Sequence, residues 1–294
     1  MDTVGLGLAQ IECVPLDVEA NVAVTTAAVE AAAAGGADIV VLPELAASGY
    51  VLDATALRPV AESATAPGPA LSAWSRSAAA HRVTVVGGFA EVTDGQLYNS
   101  AVVIGPDGAI AGLYRKLHLF GAERGTFTPG DTGLPIIDVD GLRLGVVICY
   151  DLRFPEVLRI LALRGASVVA VPTAWVRGFD AESTETNESR VGQVDGVLVQ
   201  ANLNGVFVGC ADQVGVSGPH MFLGRSVVAD PFGRPVAGPL DARAPEVSVV
   251  RLGLGCVAAA RDRGSGIRPL QDRRTDVYDE VLGYREQVHL IATV

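Results

Sequence analysis

The chain has 294 residues, 49% of them hydrophobic, 5% aromatic and 19% charged, with a formal net charge of -11. A charged fraction below the usual quarter excludes intrinsic disorder and leaves ample Ala/Val/Leu for a large core. The acidic balance disfavours nucleic acid and anionic membrane as partners, and no run supplies the ~20 uninterrupted apolar residues of a membrane span.

Met1-Asp2-Thr3-Val4 leads at once into a strand over 4–11, without the basic start and apolar stretch of a signal peptide, so a cytoplasmic location is expected. Residues 21–34 read as a helix with an Asn21 start and a Gly35-Gly36 stop. A short apolar strand over 38–42 runs into Pro43-Glu44, and a helix over 68–81 precedes a strand over 83–89. Strands over 99–104 and 110–114 flank the turn Pro106-Asp107-Gly108, and Asp140-Gly141 marks a second hairpin. The clearest strand, 142–148, ends at Cys149, and Pro155 opens a helix over 155–164, where its missing N–H costs little. A strand over 167–171, a helix over 188–203 and strands over 206–211 and 226–229 follow. This alternation, without linker or repeat, predicts an α/β fold in a single domain over 1–285, its sheets covered by helices. The irregular, charged stretch 261–294 reads as an extended tail packing on the domain or on a second subunit. Cys13, Cys149, Cys210 and Cys256 show no CxxC or Cys/His spacing, so neither a disulfide framework nor a metal site is expected.

Only one of the 22 basic residues is a lysine, Lys116. A GC-rich codon bias accounts for the missing lysines but not for the one that remains. An ammonium is a compact point charge, whereas a guanidinium is a broad planar fork. Functional groups in open α/β sheets gather beyond the carboxyl ends of strands. Glu44, Lys116 and Cys149 each follow such an end. Taken singly, the cysteine reads as a small buried hydrophobe and the two charges as solvated surface groups. Together they supply a nucleophile, a base for its proton and a donor for an oxyanion, without histidine.

The runs Leu42-Pro43-Glu44-Leu45, Tyr114-Arg115-Lys116-Leu117-His118-Leu119-Phe120 and Ile148-Cys149-Tyr150-Asp151-Leu152-Arg153-Phe154-Pro155-Glu156 resemble the three signatures of the nitrilase (carbon–nitrogen hydrolase) superfamily. Phe127-Thr128-Pro129-Gly130, Pro172-Thr173-Ala174-Trp175, Gly224-Arg225-Ser226 and Arg273-Arg274-Thr275-Asp276-Val277-Tyr278 extend the resemblance to about residue 285. It implies a four-layer αββα sandwich that pairs into dimers across an α face. It also implies a Glu44–Lys116–Cys149 triad with Glu123 as a fourth charged residue, which either orients Lys116 or the substrate or forms a structural salt bridge. Tyr150 would supply a backbone oxyanion donor, and Tyr50, Thr173, Ala174 and Trp175 would bind substrate. No cofactor and no metal are implied. The expected substrate is a small amide, since Cys-Tyr-Asp-Leu-Arg-Phe-Pro-Glu resembles amidase branches and lacks the Cys-Trp-Glu of true nitrilases. N-carbamoyl amines remain an alternative substrate class, and the lipoprotein acyltransferase branch is set aside for want of membrane spans.

Family members commonly carry Arg-Ala-x-Glu-Asn and a later Asn where this chain has Gln200-Ala201-Asn202-Leu203-Asn204 and Asp212. Losing an Arg–Glu pair together is a compensated change, because the costly case is one buried charge left alone. The sharper alternative is a changed substrate choice, with Asp212 and the acidic stretch 180–185 suiting a remote amine. Other readings weighed are a non-catalytic scaffold, a Schiff-base role for Lys116 in a lyase, and a Cys149–His118 dyad.

Overall fold

The computed structural model describes residues 2–177 and 192–278. The first half runs β1 (Thr3–Gln10), α1 (Val18–Ala34), β2 (Ile39–Val41), a short α2 (Ala54–Leu57), α3 (Pro69–His81), β3 (Thr84–Thr93), β4 (Gln96–Ile104) and β5 (Ile110–Arg115). The second runs β6 (Ile136–Val139), β7 (Leu142–Val146), α4 (Pro155–Leu163), β8 (Val168–Pro172), α5 (Gly192–Asn204) and β9 (Phe207–Ala211). A small ribbon, β10 (Val216–Ser217) with β11 (His220–Met221), precedes β12 (Val227–Ala229), β13 (Pro235–Ala237), β14 (Glu246–Gly253), α6 (Gly255–Arg261) and α7 (Thr275–Tyr278).

Two six-stranded sheets result, ordered β14-β1-β2-β3-β4-β5 and β13-β12-β9-β8-β7-β6. Each has a parallel centre, β1-β2-β3 and β7-β8-β9, flanked by antiparallel strands. Their inner faces share one core, in which Leu6, Leu8 and Val86 meet Leu144, Val169 and Val208. The sheets approach so closely that a Cβ on Gly209 would stand 2.6 Å from Leu6 Cδ2. Outside, Val29, Ala32, Leu71 and Trp74 of α1 and α3 cover the first sheet. Leu158 and Leu161 of α4 and Val197 and Ala201 of α5 cover the second. This is the αββα sandwich expected from the resemblance.

Several boundaries differ from the sequence reading for local reasons. Helix α1 begins before Asn21, because Asp17 caps it by accepting from Ala20 N at 3.0 Å. Asn21 instead lies buried in the first turn and bonds Val14 N and O at 2.7 and 2.8 Å. Strand β3 runs on past Phe89 to Thr93, where Asp94-Gly95, both at positive φ, turns it into β4. Strand β7 ends at Val146, two residues short of the expected end, and β14 was not expected at all. Helix α5 starts at Gly192, and the first residues of the expected 188–203 helix lie outside the described residues, as does the acidic stretch 180–185. Of the expected tail, residues 262–278 include α7, and Arg263 donates to Asn202 O at 3.4 Å; the remainder lies outside the described residues.

The strand ends are tied to one another before any side chain is considered. Gly88 N of β3 donates to Pro43 O at 3.2 Å and Ala47 N to Gly88 O at 3.3 Å, so the turn after β2 lies on the β3 backbone. A Cβ on Gly88 would meet Pro43 O at 2.5 Å and Glu44 Cα at 2.6 Å. Gly88→Ala therefore forces β3 away from the Glu44 turn. A stability loss of about 1–3 kcal/mol is expected, measured as a lower urea midpoint with an unchanged slope.

Candidate active site

Lys116 follows β5 directly and is fully buried, as are Glu44 and Glu123. Its Nζ donates to Glu44 Oε1 at 2.6 Å and to Glu123 Oε1 at 2.8 Å. Each carboxylate has further support. Asn99 Nδ2 of β4 donates to Glu44 Oε1 at 2.7 Å. Tyr50 OH donates to Glu123 Oε1 at 2.8 Å and Phe120 N to Glu123 Oε2 at 2.9 Å. Glu44 Oε2 has no hydrogen-bond partner among the described residues although it is buried.

Burial alone would lower the Lys116 pKa, but the two carboxylates outweigh it and raise it above the ordinary lysine value, so the ammonium stays charged. One ammonium cannot compensate two buried carboxylates. Burial, with repulsion from Glu123, accordingly holds Glu44 above the usual carboxylate range despite the attraction of Lys116. Tyr50 is raised by burial and by the neighbouring carboxylates, so it remains a phenol donor.

Cys149 stands at the end of the run after β7 with φ +47, a left-handed conformation that a non-glycine residue holds only when its surroundings impose it. Asp151 imposes it. Its Oδ2 accepts from Ile148 N at 3.0 Å and Tyr114 OH at 2.7 Å, and its Oδ1 from His118 N at 3.0 Å. His118 Nδ1 lies 2.8 Å from the same Oδ1, and the imidazole stacks on Phe154 at 3.5 Å. The imidazole is thus held by Asp151 and Phe154, and Cys149 is not among its hydrogen-bond partners in the described residues. Burial and then Glu44 raise the Cys149 thiol well above its ordinary pKa, while Lys116 and a hydrogen bond from the Ala174 backbone act the other way. Cys149 is thus a neutral thiol, coupled electrostatically to a Glu44 carboxyl whose own pKa is raised.

Cys149 opens into a cleft of about 480 Å³, its mouth included. Tyr150, Ala174 and Trp175, expected as substrate contacts, line it, together with Phe120, Leu152 and Val176. Tyr50 and Thr173 do not. Tyr50 is spent on Glu123, and Thr173 Oγ1 bonds Ala211 O and Asp212 Oδ1, both at 3.0 Å. Thr173 O accepts from Glu44 N at 3.2 Å, so its part is to seat the Glu44 turn. Asp212, considered from sequence as a partner for a remote amine, is fully buried and outside the cleft lining. Its Oδ1 accepts from Trp175 N at 2.7 Å, and it shapes the 173–175 turn. The Gln200 and Leu203 exchange leaves no charge stranded. Gln200 Nε2 donates to Leu152 O at 3.3 Å, and Leu203 is half exposed. Asn99 and Asp151 were not singled out from sequence; Asp151 lies two residues beyond the cysteine, whereas Asn99 required the β4–β5 register. Among the described residues no group of three His, Cys, Asp or Glu is placed to hold a metal ion, and no helix is long and apolar enough to cross a membrane.

The carbon-nitrogen hydrolase family matches residues 5–262. An (R)-stereoselective amidase from Pseudomonas sp. is 38% identical over 235 residues, covering 79% of this chain and 78% of its own. The N-carbamoylputrescine amidase of Solanum lycopersicum is 30% identical over 279 residues, covering 90% and 91%. The crystal structure of an amidase from Nesterenkonia sp. superposes with a TM-score of 0.78 at 28% identity, over 94% of this chain and 95% of that one. A variant of that amidase carries the acetamide moiety of fluoroacetamide covalently on its active-site cysteine. Fold and matches together define an enzyme of the carbon–nitrogen hydrolase family. Within that nitrilase superfamily the chain belongs to the amidase-like branch.

The two carboxylates make Lys116 a test of buried charge balance. Lys116→Met strands both, and a loss of about 3–5 kcal/mol in unfolding free energy is expected. Adding Glu44→Gln and Glu123→Gln removes the stranded charges, and chemical denaturation of this triple variant should recover most of the loss. Equal stability of the single and triple variants would contradict the balance described.

Proposed function

We propose that the protein hydrolyses the C–N bond of a small linear amide, giving a carboxylate and ammonia through a thioester on Cys149. One observation carries the reading. Glu44 Oε1 is fixed by Lys116 and Asn99, its buried Oε2 has no partner among the described residues, and its charge acts on the Cys149 thiol, which is held at a positive φ.

Cys149 Sγ attacks the amide carbon as Glu44 takes the thiol proton, and the C=O electrons move onto oxygen. An ammonium has three N–H donors. Two of those on Lys116 are used by Glu44 and Glu123, and the third, with the Tyr150 backbone N–H, receives the oxyanion. One such donor contributes about 10²–10³ in rate. Collapse expels the amine, which takes the proton from Glu44 and leaves as ammonia. Water then attacks the thioester as Glu44 accepts one of its protons; that proton returns to sulfur as the carboxylic acid departs, and the acid loses its own proton to solvent as carboxylate. Glu123 acts by orienting Lys116. An N-carbamoyl amine presents a similar NH₂-bearing carbon, and the tomato relative's name supports testing that class as well.

Intact mass measured during incubation with simple amides, nitriles and N-carbamoyl amines tests the reading. An acyl adduct on Cys149 with ammonia release is expected for amides. A borohydride-trapped adduct on Lys116 would point to the lyase instead, and no adduct with any compound to a scaffold. The pH profile supplies a second test. Glu44 must be ionised to accept the thiol proton, so activity is absent at low pH and rises as pH passes its raised pKa. The acid limb of kcat/KM should lie above the ordinary carboxylate range. Glu123→Gln removes one of the influences that raise Glu44, so the limb should move to lower pH.

A further inference from the structure

Glycine destabilises a helix interior relative to alanine, so each such glycine calls for a reason. Among the described helices Gly196 is the one glycine beyond a first position. Many other glycines here have steric reasons. A Cβ on Gly88, Gly112 or Gly209 would stand 2.5–2.6 Å from a neighbour. A Cβ on Gly196 would meet nothing within 4 Å among the described residues. No described residue requires glycine at this position. What Gly196 does border is the Cys149 cleft, together with Phe120, Leu152, Trp175 and Val176.

We infer that Gly196 is a specificity-determining residue: its missing side chain leaves room in the cleft for the acyl part of the substrate, which is apolar and longer than an acetyl group. The inference rests on the proposed acylation of Cys149. The chemistry of the walls names the class. Phe120, Leu152, Trp175 and Val176 offer ring and methyl surface, which gains from desolvating alkyl or aryl carbon, while Arg153 and Gln193 supply the polar part of the lining. The same cleft is lined by Cys149 and by Gly196, so an acyl chain carried on sulfur runs along these walls toward α5. The site thus takes amides of medium-chain or aryl-substituted carboxylic acids, and helix α5 gives up stability at Gly196 to admit them.

The test compares acetamide, butyramide and hexanamide as substrates of the wild-type chain, Gly196→Ala and Gly196→Val. For the wild type, kcat/KM should rise about fourfold per added methylene, on the order of a hundredfold from acetamide to hexanamide. Gly196→Val should lower kcat/KM for hexanamide at least tenfold and leave acetamide within about twofold. Gly196→Ala should raise Tm by about 1–3 °C while lowering the hexanamide-to-acetamide ratio, which separates loss of room from loss of fold. Equal losses on all three amides, or a wild type indifferent to chain length, would overturn the role of Gly196 while leaving the amidase reading intact. Failure of every amide to acylate Cys149 would overturn both.

Discussion

The buried ammonium of Lys116, gripped at 2.6 and 2.8 Å by two carboxylates, is the constraint on which the rest of the site depends. Taking three charges out of water costs several kcal/mol each, and Coulomb attraction offsets this only where geometry and additional hydrogen bonds are good. The surrounding structure supplies those bonds. Asn99 comes from β4, Tyr50 from the loop after β2, and Phe120 N from the turn that carries Glu123 itself. Tyr50 and Phe120 belong to connections between strands, whereas Asn99 sits on an interior strand of the first sheet. The charges thereby fix the loops, and the two sheets fix the charges.

Cys149 is held by a parallel device of opposite character. A positive φ is unfavourable for cysteine, and Asp151 stabilises it by collecting bonds from Ile148, Tyr114 and His118 in one carboxylate. Tyr114 and His118 flank Lys116 in sequence, so the segment that carries the cation also clamps the turn that carries Cys149. One strand end therefore sets the distance between charge and sulfur. In the proposed reaction these dipoles would already be oriented before charge develops on a substrate, so little reorganisation would be needed.

The alternation of elements and the three strand ends were legible in the sequence because apolar strands followed by charged or reactive residues are a local pattern. Local sequence does not settle the start of α1, because Asp17 and Asn21 are both good caps; Asn21 is drawn inward to Val14 and, across the fold, to Ala47 O. Strand β14 leaves little local signal in the sequence, being a half-buried edge strand whose partner, β1, lies at the other end of the chain. Glu44, Lys116 and Cys149 were visible, but the division between residues that face the cleft and those that support it was not. Tyr50 and Thr173 follow strand ends as Trp175 does, and only packing decides that the first two turn inward. Asp212 shows the same limit: a carboxylate in a plausible position proves to be a backbone anchor for Trp175.

The contrast between Arg115 and Lys116 explains why one lysine stands in a chain of arginines. Arg115 lies at the end of β5, where its planar fork fits a single carboxylate, with Nε and Nη2 each 2.8 Å from Glu91. Its guanidinium also covers the Tyr98 ring at 4.3 Å and reaches Asp131 near solvent. The next residue faces the opposite way, as strand geometry requires, into a dry space where two carboxylates converge on one point. A fork would need its partners spread in a plane, whereas an ammonium takes them around a centre and keeps a third donor available. Codon bias can replace lysine wherever a charge merely faces water. At position 116 the geometry admits only the point charge.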